Sequence, residues 1–405
     1  FAPLGNSGKL LKPRALHATQ FGCMCPAETP EGSCVGLVKN IALGARITIY
    51  TNNLPVIEFL NKNKILSLEN DEINFKNISN MSHIYIDGDW WGLCKKPEQL
   101  IKKLIKARRK GILHPHTSIS LNKNTFNLNT CSKKGIIEIW TTGGRLVRPV
   151  YIIKDNKFTI KKAHLTQLKK GATFDTLLLP HLSGRRTKLN PIIEFIDILE
   201  SDTLMIAMNN KALVKKRTGF NINYTHCELH PSLMLGVLAA IIPFCDKNQS
   251  PRNTYQSAMC KQSMGLFVSN FYERYGTLEH LLFYPQKPIV STRIHKYLPL
   301  SKMPSGQILI VAITTNGGYN QEDSIIMNKN AIQRGLMTSV MTKTYRSEEK
   351  TTEGTSLRDI FCKPTKTIGT KIGTYSKIGD DGIAIKGTHV KNGDIIIGKK
   401  TPVSA

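Results

Sequence analysis

The longest apolar run in the chain, residues 233–242, is far short of the ~20 residues a membrane-spanning helix needs. Residues 1–50 are punctuated by Gly and Pro. From about Gln333 onward, Gly369, Gly373, Gly379, Gly382, Gly387 and Gly393 mark turns between short β-like segments. Short blocks of this kind build several small units. At one domain per ~100–200 residues, 405 residues make roughly two to four. The 40% hydrophobic and 21% charged fractions are those of a folded chain rather than a disordered tail.

Charge sets the next limit. Lys and Arg number 56 against 29 Asp and Glu, a formal net charge of +27. Self-repulsion works against such a chain, so a polyanionic partner is expected: nucleic acid first, then a membrane surface or acidic subunits. The nine cysteines include no Cys-x-x-Cys pair, so no zinc is expected in this segment and reduced thiols in an intracellular compartment are. On that reading the Asn-x-Ser/Thr triplets at Asn77, Asn80 and Asn223 carry no glycan. Residue 1 is Phe and no signal peptide opens the chain, which is expected of a fragment, a processed product or an internal piece.

Residues 51–135 read as a small α+β unit. Residues 83–86 and 90–93 are strand-like and meet across Asp87-Gly88-Asp89, a hairpin signal that outweighs a metal-binding Asp-x-Asp. Residues 97–110 predict a helix: Pro97 suits its first turn, Leu100, Ile101, Leu104 and Ile105 make an apolar stripe, and Gly111 stops it. Its basic face, Lys102, Lys103, Lys106, Arg108, Arg109 and Lys110, is expected to be solvated, with aliphatic stems covering the core. Residues 136–235 form a second unit, with strands at 136–140, 150–153 and 204–207 and a basic loop at 183–188. His226-x-Glu228-x-His230 is expected to be a hydrogen-bonded turn, because Pro231 follows at once and no fourth ligand is present.

No phosphate-binding Gly-x-x-x-x-Gly-Lys-Ser/Thr, dinucleotide Gly-x-Gly-x-x-Gly after a strand, Gly-x-Ser-x-Gly or His-Glu-x-x-His occurs. Two segments carry chemistry instead. Residues 317–324 place Glu322 and Asp323 on a Gly-flanked loop between apolar runs at 308–313 and 325–327, both read as strands. Adjacent carboxylates suit a hydrated Mg²⁺ or two-metal phosphoryl transfer; a solvated turn is an equal reading from these residues alone. Residues 246–265 interleave Lys247, Arg252 and Lys261 with amides, hydroxyls and Tyr255, as a buried polar channel wall would.

At these residues the chain resembles the second-largest, β-like subunit of the multisubunit DNA-directed RNA polymerases, and the RNA polymerase II type in particular. The segments that carry the likeness are 12–17, 25–32 (Cys-Pro-Ala-Glu-Thr-Pro-Glu-Gly), 36–40, 143–149, 226–232, 248–265, 284–288 and 318–324, in family order. The resemblance implies an α+β, multidomain fold, with a fork at 1–68 and a fork loop at 5–9. External domains and a connector would follow at 69–235, the first part of the hybrid-binding domain at 236–337 and the start of the wall at 338–405. It also implies a nucleotidyltransferase whose active site is shared with the largest subunit, a metal-dependent site of two Mg²⁺. Glu322 and Asp323 would approach the second Mg²⁺, and Arg252 the phosphates of the incoming nucleotide. Tyr255, Lys261 and Gln262 would line the RNA–DNA hybrid and the RNA 3′ end, with Arg14 and Lys287 as further nucleic-acid candidates.

The implied partners are the largest subunit, smaller assembly subunits, DNA template, RNA–DNA hybrid and NTPs, with no membrane. The implied place is the nucleus, or the host cytoplasm or virion if the gene is viral. The likeness covers roughly the middle third of such a subunit and lacks the protrusion, lobe, clamp segment and zinc-binding cysteines. Cys260 stands where the family usually has Gly, residues 171–190 diverge, and the Lys/Asn bias suits a large DNA virus or a divergent protist. Two other functions compete: a nucleic-acid-binding structural module of a split subunit without catalysis, and a stand-alone basic nucleic-acid-binding protein.

Overall fold

The computed structural model describes residues 10–63, 65–68, 78, 80–123, 135–171, 173–179, 190–214, 223–351, 357–365 and 367–402. The fork-loop segment 5–9, Asn77, Cys131 and the basic loop 183–188 lie outside them. Two compact units emerge: one of residues 1–263 with 287–302, the other of 264–286 with 303–405.

Among the described residues the first unit holds two sheets. Short strands β1 (Arg46–Ile47) and β2 (Leu66–Ser67) precede the hairpin of β3 (Ser82–Ile86) and β4 (Asp89–Cys94). Asp87 and Gly88 both take positive φ, 51° and 97°, the two-residue turn whose twist matches flanking strands. The Asp87 carboxylate accepts hydrogen bonds from the Thr141 N–H and hydroxyl, both at 2.6 Å, and from the Thr142 N–H at 3.1 Å. It is thus a structural acceptor, as the hairpin reading implies. The helix Pro97–Arg109 then crosses to β5 (Ser118–Asn122) and β6 (Ile136–Trp140), giving a five-stranded sheet in which β3 and β6 run parallel. Leu100, Leu104 and Ala107 pack beneath it on Ile84, Ile119, Ile137 and Ile139, so the apolar stripe read from the sequence is the face that is buried.

The expectation for the opposite face needs correction at its end. Arg108 is 2% exposed and inserts between Glu194 and Glu200. A 3.6-residue period puts Arg108 beside Leu104, on the buried side of the last turn, and the carboxylates come from far along the chain.

The second sheet is built around β7 (Leu146–Lys154). It pairs with β1, with β8 (Lys157–Phe158), with β9 (Ile193–Asp197) and with β11 (His226–Glu228), which in turn pairs with β10 (Ile206–Ala207). Strand β11 overturns the expectation of a turn at His226 and Glu228. His230 keeps the turn role: its ring accepts from the Ser232 N–H at 3.2 Å and caps the 3₁₀ turn Pro231–Met234.

In the second unit, β12 (Leu278–Leu282) pairs with β13 (Ser339–Lys343), and β14 (Ile360–Phe361) with β15 (Lys399–Lys400). The strand expected at 308–313 is absent. Ile310 and Ile313 are fully exposed, and among the described residues no strand pairs with that backbone; the Ile308 N–H donates instead to the Gln286 side-chain carbonyl at 2.8 Å. Apolar β-branched residues report what a strand requires but not whether a partner strand is at hand.

Candidate nucleotide and nucleic-acid interface

In the first unit, residues 25–40 form a tightly held loop. Arg14, at the end of the 3₁₀ turn Lys12–Arg14, donates from Nη1 to the carbonyls of Ser33 (2.5 Å) and Val35 (3.1 Å). The Thr29 hydroxyl accepts from the Gly36 N–H at 2.9 Å and donates to the Val38 carbonyl at 3.1 Å. Gly36 has φ 72°, and a Cβ there would lie 2.1 Å from the Arg14 carbonyl oxygen. Only a glycine admits that approach. Gly36→Ala is therefore expected to loosen the loop by about 1–3 kcal/mol, seen as faster amide exchange across residues 25–40 with β7 unchanged.

The helix Ser250–Cys260 carries Pro251 in its first turn. One side is anchored: Asn253 Nδ2 donates to the Cys245 carbonyl at 2.8 Å, and buried Ser257 donates to the Asn253 carbonyl at 2.9 Å. The other side is open. Arg252 lies 5.4 Å from the centre of the Tyr255 ring, one turn on, and both are exposed. Among the described residues no carboxylate pairs with Arg252, so its fork of donors remains available. Lys261 caps the C-terminal end of the helix, Gln262 follows it exposed, and Lys287 is exposed on a separate stretch of the unit. Within the channel wall expected at 246–265, Ser250–Cys260 form an amphipathic helix whose polar face is solvent-exposed in this chain, because only one side finds a neighbour.

The acidic pair lies in the second unit, on a loop held by its own backbone and amides. Asn320 Nδ2 donates to the Thr314 carbonyl at 2.7 Å, and Asn320 Oδ1 accepts from the Asn316 N–H at 3.1 Å. The Ser324 N–H closes a turn onto the Gln321 carbonyl at 3.2 Å, and Glu322 within it takes φ 55°. A non-glycine residue in the left-handed region is a strain that surrounding structure must hold. Glu322 and Asp323 are exposed, and no cation is paired with either among the described residues. No group of three or more metal-ligating side chains occurs among the described residues. Both carboxylates are thus open to solvent on a loop that other groups hold.

Sequence reasoning missed the polar core of the first unit. Glu194 is held by Arg108, Arg109 and His226; Arg145 meets Asp197 at 2.7 Å; Arg148 meets Glu228 at 3.1 Å and donates to the Phe21 carbonyl at 2.9 Å. Residues 143–149 and 226–232 thereby hold the second sheet together. Burial raises the Cys23 thiol pKa, against the lowering effect of nearby Arg148. No signal within either segment marks these partners, which lie 32, 52, 80 and 127 residues away along the chain.

Residues 2–47, 84–154, 189–231 and 238–405 match, in order, the families described as RNA polymerase Rpb2 domain 3, domain 4, domain 5 and domain 6. The chain is 43% identical over its whole length to the DNA-directed RNA polymerase II subunit 2 of Arabidopsis thaliana, covering 33% of that protein. It is 42% identical to the RNA polymerase II subunit RPB2 of Encephalitozoon cuniculi over 99% of its length and 34% of that protein's. To the DNA-directed RNA polymerase subunit 2 of Acanthamoeba polyphaga mimivirus it is 33% identical over 97% of the chain. The chain spans about a third of the length of the relatives it matches. Among the described residues, no helix is long and apolar enough to cross a membrane.

Proposed function

Because the chain belongs to the Rpb2 family of second subunits of DNA-directed RNA polymerases, we propose that it forms part of the catalytic core of such an enzyme. It would contribute the nucleotide-facing side of an active site completed by the largest subunit. The observation that carries this reading is the unpaired, exposed Glu322–Asp323 pair, held in a strained turn within a chain of net charge +27.

In nucleotidyl transfer the RNA 3′ oxygen forms a bond to the α-phosphorus of the NTP, the bond to the bridging oxygen breaks, and pyrophosphate leaves. Glu322 and Asp323 fit a Mg²⁺ that arrives with the nucleotide, since such an ion is held by one or two carboxylates plus phosphate oxygens and water. Bound there, Mg²⁺ would neutralise charge on the triphosphate. Arg252 would bind phosphate oxygens bidentately, its plane braced by the Tyr255 ring. Tyr255 would offer a stacking face, Lys261 a point charge and Gln262 an amide to the RNA–DNA hybrid. Lys287 would add a weaker phosphate contact. Arg14 would act through the loop whose carbonyls it holds. The partners would be the largest subunit, smaller assembly subunits, DNA template, hybrid and NTPs, in a nucleus or, for a viral gene, a host cytoplasm or virion.

The test is template-directed NTP incorporation by the assembled polymerase carrying Arg252→Ala in its second subunit. Loss of a charged bidentate contact is expected to lower kcat/KM for NTP about 10- to 100-fold. Undiminished incorporation would leave only a structural, nucleic-acid-holding role for this helix.

A further inference from the structure

Glu28 is the one carboxylate that meets the exposed face of the 250–262 segment among the described ion pairs. It is 7% exposed, and its backbone is fixed at both ends: its N–H donates to Cys25 Sγ at 3.3 Å, and its carbonyl accepts from Asn40 Nδ2 at 3.1 Å. Oε2 occupies space that a side chain at position 236 would take; a Cβ on Gly236 would lie 2.9 Å from it. Oε1 faces Lys261 Nζ at 3.3 Å. The neighbouring Cys260 thiol pKa is raised by burial and then by the charge of Glu28.

The pairing is one-sided. Glu28 is buried and pinned, while Lys261 remains 52% exposed at the helix end. At 3.3 Å the contact is looser than the ~2.7–2.9 Å of a strong charge-assisted hydrogen bond. A lysine ammonium has three donors and no fixed plane, so it can face Glu28 and still present N–H groups to a phosphate.

We infer that Glu28 is a positioning residue for Lys261: its carboxylate fixes the ammonium at the helix end and offsets its charge, so that the lysine guides the hybrid backbone without gripping it. The inference rests on the proposed hybrid-facing role of Lys261. A site that must let the hybrid advance after each addition is served by a phosphate contact weakened in this way, because a partly neutralised lysine releases less counterion on binding.

The experiment uses the assembled polymerase on an RNA–DNA hybrid scaffold, with hybrid dissociation followed across a KCl series. Glu28→Gln keeps the shape and removes the charge. It is expected to slow dissociation about two- to fivefold and to steepen the slope of log K against log[salt] by up to ~0.7–0.9. Lys261→Gln is expected to do the reverse, and Glu28→Gln added to Lys261→Gln to change nothing further. Faster dissociation in Glu28→Gln with an unchanged salt slope would overturn the inference, since a carboxylate that merely supports the fold gives that result. An unchanged slope in Lys261→Gln alone would overturn the hybrid-facing reading of the lysine, and the role of Glu28 with it.

Discussion

Template-directed incorporation by the assembled polymerase is expected to fall about 10²–10³-fold when Glu322→Gln and Asp323→Asn are introduced together, the usual cost of removing preorganised transition-state stabilisation. The loop should survive the change. Its closing bonds run through the Asn320 amide, the Asn316 N–H, the Thr314 carbonyl and the Ser324 N–H, and none uses an acidic side chain. The loss would therefore be a loss of carboxylate oxygens rather than of shape. Mg²⁺ concentration supplies the fingerprint. If the pair helps hold a nucleotide-borne ion, the variant needs more Mg²⁺ for half its maximal rate, and raising Mg²⁺ recovers part of the activity. Glu322→Gly separates carboxylate from backbone, because glycine adopts φ 55° without strain. Equal losses in Glu322→Gly and Glu322→Gln would assign the effect to the carboxylate. Full activity in the double variant would remove both acids from the catalytic machinery.

The features legible in the sequence were local ones. Asp87-Gly88 announces its turn because positive φ at both positions is a property of those residues and their immediate chain. The helix after Pro97 does so through a stripe, a permissive start and a glycine stop, all within one segment. Glu322–Asp323 and residues 250–262 were chosen as candidates in the same way, as dense chemistry on short stretches. Features that depend on distant partners were not legible. Residues 308–313 have the composition of a strand and no described strand to pair with. Arg108 reads as one of six cations on a helix, and only the fold shows two carboxylates waiting 86 and 92 residues away. Lys261 reads as a free cation, and the fold gives it Glu28. Charge arithmetic over a whole chain cannot separate such cases; whether a cation meets phosphate, carboxylate or water is decided by what the fold brings within reach of it.

Arg108→Met is expected to cost about 3–5 kcal/mol, because it strands buried carboxylate charge. The guanidinium is fully engaged on one edge: Nη1 donates to Glu200 Oε2 and to the Thr117 carbonyl, both at 2.8 Å, and Nη2 to Glu200 Oε1 at 2.7 Å and Glu194 Oε2 at 3.2 Å. Glu194 keeps Arg109 and His226 when Arg108 is lost, whereas Glu200 has no other described ion-pair partner. Arg108→Met/Glu200→Met, which removes both charges at once, should therefore be much less destabilised than the sum of the single changes, and the size of that coupling measures the pair. Lysine is no substitute for a fork that serves two carboxylates and a carbonyl. The network also has a pH signature. Burial alone would raise the Glu194 pKa, but Arg108, His226 and Arg109 hold it well below the usual carboxylate range. Its contribution is therefore fully present above the unfolded value near ~4.3 and is lost as pH falls from there through the lower folded value. Amide exchange in β9 (Ile193–Asp197) should stay protected at neutral and mildly acidic pH and open only in strong acid. If Arg108→Met leaves β9 as protected as before, these carboxylates do not depend on Arg108.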